Sequence, residues 1–81
     1  MHEVMLFGGL REVVDGAESV QVEGTTIREV LHNLSEQYPP MRERISQGIA
    51  VAIDGTIYRD DWEQPIPEGA EVGLLSRIAG G

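Results

Sequence analysis

The chain has 81 residues, enough for one domain with a modest core and too few for two. Its 41 % hydrophobic and 25 % charged content is ordinary for a globular protein, and the absence of cysteine excludes disulfides, a thiolate nucleophile and metal sites built on cysteine. A net charge of −8 argues against nucleic acid, whose phosphates require a basic surface, and suits either a basic protein partner or simple solubility.

In chain order, Met1-His2-Glu3-Val4 lacks the basic stretch and apolar run of a secretory signal. No later run approaches the ~20 apolar residues that span a bilayer, so a cytoplasmic protein is expected. Residues 4–8, Val-Met-Leu-Phe-Gly, form a short apolar run that predicts a strand. Alternation within it places Leu6 and Phe7 on opposite faces, so one of the two faces away from the core unless both faces are covered. Asp15-Gly16 supplies turn chemistry, and Ser19-Val20-Gln21-Val22-Glu23 alternates with the period of a half-exposed strand. The two strands are expected to pair as a hairpin with a long connection through Gly9–Ala17.

A helix is predicted to open at Gly24-Thr25-Thr26, with Thr26 and Glu29 spaced as a capping box. Ile27, Val30, Leu31, Leu34 and Tyr38 recur at helical spacing as one apolar stripe. Pro39-Pro40 ends it, because a residue before proline avoids the helical region. Met41 to Gly48 is polar around Ile45 and allows a second short helical turn. Ile49-Ala50-Val51-Ala52-Ile53 predicts a buried strand, Asp54-Gly55 a tight hairpin and Thr56-Ile57-Tyr58 its return strand. Pro65, Pro67 and Gly69 mark a loop, and Glu71-Val72-Gly73-Leu74-Leu75 predicts the last strand. The order β-β-α-β-β-β, with one apolar helical stripe to bury on one sheet face, describes an α+β roll of the β-grasp type with a mixed sheet. Residues 1–75 form that domain, and 76–81 are expected to project from it as a flexible tail.

Few side-chain constellations carry chemistry. Asp60-Asp61-Trp62-Glu63 is an acidic loop with the single tryptophan, either a contact for a basic partner or a half-buried ring anchoring a solvated loop. Its carboxylates lack the alternation and glycine spacing of a calcium loop. His2 and His32 are isolated, His32 falls off the helical stripe, and no nucleophile–histidine–acid set can be drawn from them. Gly8-Gly9 lacks the remaining residues of a phosphate-binding loop. No catalytic residue and no metal site is expected, and the chain is not read as an enzyme.

The last residues, Ala79-Gly80-Gly81, are the strongest functional signal. At a glycine frequency of ~7 %, two in succession at given positions arise by chance roughly 0.5 % of the time. Glycine lets a backbone thread a narrow cleft, and the reactive group there is the α-carboxylate of Gly81. Six residues from Ser76 to Gly81 extend roughly 20 Å at about 3.3 Å each, enough to reach a partner's active site while the body docks outside. All six basic residues are arginine (Arg11, Arg28, Arg42, Arg44, Arg59, Arg77), so no lysine amine is present to attack an activated C-terminus. A compositional bias toward arginine is the more ordinary account of that absence.

Several segments resemble, in order, the small subunit of molybdopterin synthase (MoaD). They are Met5-Leu6-Phe7-Gly8-Gly9-Leu10-Arg11-Glu12, Thr26-Ile27-Arg28-Glu29-Val30-Leu31, Val51-Ala52-Ile53-Asp54-Gly55 and Pro67-Glu68-Gly69-Ala70-Glu71-Val72. Ile78-Ala79-Gly80-Gly81 resembles the ends of that family and of the thiamine sulfur carriers (ThiS). The resemblance implies a ubiquitin-like sulfur carrier that binds no cofactor itself. An ATP-dependent activating enzyme would adenylate Gly81, AMP making the carboxylate an electrophile, and a sulfur donor would convert it to a thiocarboxylate. A biosynthetic enzyme such as a molybdopterin synthase large subunit would accept the sulfur. It also implies a partner interface at Phe7, Arg11, Leu75, Arg77 and Ile78, with Gly80 and Ala79 in the tail. Ser76-Arg77 stand where many molybdopterin-type relatives carry two prolines, which leaves carriers for thiamine, cysteine or other metabolites open. A modifier conjugated to lysines of other proteins through the same tail, and a non-covalent β-grasp binding module, are the alternatives.

Overall fold

Alternating burial along His2–Leu6 defines the first strand, β1, with Val4 and Leu6 inward and Glu3 and Met5 outward. The computed structural model describes residues 1–76. The strand therefore begins and ends two residues earlier than the apolar run suggested. Phe7 has left the ladder as the cap of a 3-10 helix over Gly8–Val14, where the sequence predicts only a long connection. Leu10 and Val14 anchor that helix in the core, and the Arg11 Nε–H donates to the Leu6 carbonyl at 2.9 Å. β2 (Ser19–Val22) then returns antiparallel to β1, pairing His2 with Val22 and Met5 with Ser19.

Helix α1 spans Ile27–Gln37 and buries Ile27, Val30, Leu31 and Leu34. Removing each of those aliphatic side chains from water contributes roughly 1.5–3 kcal/mol. Thr26 Oγ1 accepts from the Glu29 N–H at 3.2 Å, but the reciprocal bond differs from a capping box. The Glu29 carboxylate reaches one residue further back, to the N–H and hydroxyl of Thr25 at 2.8 and 2.9 Å. Those bonds, the backbone one first, hold the Glu29 carboxyl below its ordinary value of 4.5. Two further orphan donors of the first turn are satisfied from a distance: Ile27 N–H by the Gln64 carbonyl at 3.0 Å and Arg28 N–H by the Trp62 carbonyl at 2.8 Å. The acidic loop is thus a backbone cap for α1, reinforced by an Arg28–Glu63 ion pair, with Trp62 half-buried against the core.

After Pro39-Pro40, α2 spans Met41–Gln47 and drives Met41 into the core. β3 (Ile49–Ile53) and β4 (Thr56–Tyr58) form the expected hairpin, with Asp54 and Gly55 both at positive φ (49° and 88°) as a two-residue turn requires. β5 spans Val72–Ser76, parallel to β1 and antiparallel to β3. Ser76 pairs with Ile49, so the strand runs one residue into the segment assigned to the tail. The sheet order is β2-β1-β5-β3-β4, a mixed five-stranded sheet of the β-grasp, ubiquitin-like type. Val4, Leu6, Val22, Ile49, Val51, Ile53, Val72 and Leu74 cover its inner face, against α1, α2, the 3-10 helix and Ile66.

Candidate functional site

Both helices pack on one side of the sheet, so among the described residues no helix covers its other face. Period-2 alternation decides what stands there: Met5 from β1, Gly73 and Leu75 from β5, Ala50 and Ala52 from β3, and Ile57 from β4. Phe7 joins them just beyond β1. Met5, Phe7 and Ile57 are 43, 40 and 48 % exposed, three large apolar side chains on one face, the kind of grouping that marks an interaction surface. Phe7 is therefore not core. Its ring lies across the β5 backbone at Gly73, where an added Cβ would come within 3.0 Å of the ring edge.

The parallel pairing of β1 with β5 sets the polarity of this face. Leu6 pairs with Leu74 and the Phe7 N–H donates to the Leu74 carbonyl at 3.2 Å, so Phe7, the 3-10 helix bearing Arg11, and half-buried Leu75 share the end of the sheet toward which β5 runs. Three of the expected interface residues, Phe7, Arg11 and Leu75, are thus brought together around the strand that leads to the tail. Arg11 is exposed, with one N–H committed to the Leu6 carbonyl. Arg77, Ile78, Ala79, Gly80 and Gly81 lie outside the described residues.

Met5, Ala52, Gly73 and Ile57 were not singled out from the sequence. The signal was present for Met5, two residues before Phe7 in one alternating strand. It was present for Ile57 only once Asp54-Gly55 is taken to set it opposite Ala52. Of the two histidines, His32 is exposed on α1, whereas His2 is buried and its Nε2 bonds the Gly24 carbonyl at 2.8 Å, a structural tie between β1 and the entry to α1. Among the described residues no three His, Asp or Glu side chains converge to hold a metal ion, and no helix is long and apolar enough to cross a membrane.

A family model described as the ThiS family matches residues 4–81. Among solved structures, the chain resembles CysO of Amycolatopsis orientalis in its complex with BexX, at 20 % identity over the whole of both chains and a TM-score of 0.79. It resembles Mycobacterium tuberculosis CysO, described as an antigen, at 19 % identity over 96 % of this chain and all of that one, TM-score 0.82. It also resembles the small archaeal modifier protein 1 of Methanosarcina acetivorans, at 26 % identity over 98 % of this chain and 94 % of that one, TM-score 0.82. At that level of identity the CysO structures bear on the fold alone. No curated protein matches the sequence. The family match bears out a sulfur-carrier reading and the structural likenesses a ubiquitin-like fold; neither singles out the molybdopterin type.

Proposed function

The chain belongs to the ThiS family of small β-grasp sulfur carriers, substrate proteins rather than enzymes, and from that premise we propose that its reactive group is the α-carboxylate of Gly81. A partner enzyme adenylates that carboxylate with ATP, releasing pyrophosphate. The acyl-adenylate then accepts sulfur from a donor, AMP leaves, and the chain carries a terminal thiocarboxylate. An acceptor enzyme takes the sulfur into a biosynthetic product and returns the carboxylate. The sequence resemblance names a molybdopterin-type synthase subunit as acceptor; acceptors making thiamine, cysteine or another sulfur metabolite use the same carrier chemistry.

The observation that carries this reading is the family match running through Ala79-Gly80-Gly81 to residue 81. The bare apolar face around Phe7 supports it, since a carrier must be recognised by its body while its terminus reacts. We assign Phe7, Arg11 and Leu75, with Arg77 and Ile78, to the surface that meets the activating and accepting partners. CysO of Amycolatopsis orientalis is likewise found in a complex with a second protein, BexX.

The test is intact mass after incubation with the activating enzyme, ATP and a sulfur donor. A gain equal to one oxygen replaced by sulfur, absent when Gly81 is deleted, is the expected result. An unchanged mass with an enzyme shown to be active on its own carrier would sink the proposal. A second reading, conjugation to lysines of other proteins, is favoured by the likeness to small archaeal modifier protein 1. Lysine adducts bearing the Gly81 acyl group would establish it.

A further inference from the structure

One row of side chains crosses four strands on the bare face. Register sets Met5 of β1 beside Gly73 of β5, Gly73 beside Ala52 of β3, and Ala52 beside Ile57 of β4. The sequence of sizes along that row is large, none, small, large. Met5 and Ile57 stand up at its ends, and the middle is floored by the backbone at Gly73 and the single methyl of Ala52. Phe7 closes one side. Between Met5, Phe7, Gly73, Ala52 and Gly55 lies a hollow of about 130 Å³, with Ile57 beyond it at the far end of the row. An engineered enclosed apolar cavity of ~150 Å³ admits one benzene, so this hollow, open on one side, has room for about one aliphatic side chain.

Glu71 stands at the rim of the hollow and also lines an adjoining cleft of about 290 Å³, with Glu3 on the same outward face of β1. Its backbone is fixed on both sides: the Glu71 N–H donates to Asp54 Oδ1 at 2.9 Å, and the Glu71 carbonyl accepts from the Asp54 N–H at 2.9 Å. Among the described residues no cation lies within 4.0 Å of its carboxylate, whereas Glu12, Glu36, Glu63 and Glu68 each have one. An exposed carboxylate carried on a fixed backbone, with no cation in reach among the described residues, beside a mainly apolar hollow in a chain of net charge −8, is complementary to an aliphatic side chain with a Lys or Arg next to it. The same charge repels an anionic lipid surface, so the occupant is protein.

We infer that the hollow between Met5, Phe7, Gly73 and Ala52 is a socket for a single aliphatic side chain of the activating enzyme, presented beside a basic residue that pairs with Glu71. The inference rests on the carrier reading above, because that reading supplies the partner. It adds which residues of the body are read and what chemistry the partner must present.

The experiment measures adenylation by the activating enzyme of the same organism, as ATP–pyrophosphate exchange against carrier concentration. Wild type, Ala52→Leu, Glu71→Lys and a chain lacking Gly81 are compared. Ala52→Leu fills the hollow from its own floor, and Glu71→Lys reverses the charge at the rim. Each is expected to raise KM about tenfold or more with kcat within about twofold, since the terminus that reacts is untouched. Thermal unfolding checks that Ala52→Leu is folded; if it is not, the exposed Glu71→Lys and Met5→Asp carry the test. KM within twofold of wild type for the variants, with the Gly81 deletion inactive, overturns the socket and leaves the carrier reading standing. An effect of Glu71→Lys without one of a folded Ala52→Leu also overturns it, in favour of a purely electrostatic rim. A Gly81 deletion that exchanges as well as wild type, or a wild type that does not exchange at all, overturns both.

Discussion

Single residues set the local accuracy of this fold. Gly24 is the tightest case: at φ +147° an added Cβ would meet the Val30 backbone N at 2.8 Å, so the chain turns into α1 at the one residue type that fits. Glu29 shows how an exposed side chain contributes through its charge. Two bonds from Thr25 favour its ionised form and depress its folded pKa below 4.5, so the stabilisation is present above that value and is lost as pH falls through the folded one. Glu29→Gln is therefore expected to unfold at a lower temperature than wild type near neutral pH. The gap between the two midpoints should close below about 4.5, the ordinary carboxyl value. Parallel midpoints from pH 7 to pH 2 would show that the Thr25 bonds carry no charge-dependent stability.

At the scale of elements, edges matter most. β2 is an edge strand, and its open side faces α1 across the loop. Two side chains of the helix reach over it: Asn33 Nδ2 donates to the Glu23 carbonyl at 2.8 Å and Gln37 Nε2 to the Gln21 carbonyl at 3.3 Å. Those carbonyls would otherwise offer a template for strand addition. Replacing both residues by alanine is expected to cost about 1–2 kcal/mol, which in a domain of this size lowers the midpoint by roughly 5–15 °C. Light scattering of the concentrated variant should also show association that wild type lacks. The same scale explains the mismatches with the sequence. Thr26-to-Glu29 spacing identified the helix start correctly, yet Glu29 bonds Thr25, and the N–H groups of Ile27 and Arg28 are served by the carbonyls of Gln64 and Trp62, more than thirty residues away, which no local pattern shows. The 3-10 helix over Gly8–Val14 escaped because its two buried anchors, Leu10 and Val14, are too few to display a period.

For the whole molecule, the asymmetry is between a helix-covered face and a bare one, in a chain of net charge −8. Long-range attraction to a basic partner accelerates encounter and is screened by salt, with a Debye length of about 10 Å at 0.1 M. The KM for adenylation should therefore rise severalfold between about 50 and 500 mM NaCl while kcat changes little. A KM independent of salt would show that the acidity serves solubility and not recognition.

The sequence by itself determined the element order, the helical stripe, the Asp54-Gly55 hairpin and the glycine terminus that suggests carrier chemistry. Each of these is local: a period, a turn dipeptide or a run of residues acts within a few positions. It determined that Phe7 and Leu6 part company, but not which of them faces water. Tertiary structure decided that, by placing both helices on the Leu6 side. It also decided the row from Met5 through Gly73 and Ala52 to Ile57, whose members lie at 5, 73, 52 and 57 along the chain and line up through the registers of β5 with β1 and β3 and of the β3–β4 hairpin. A hollow made of absent side chains leaves no mark in a sequence. Gly73 and Ala52 read there as ordinary small residues in two strands, and only their pairing makes them a floor.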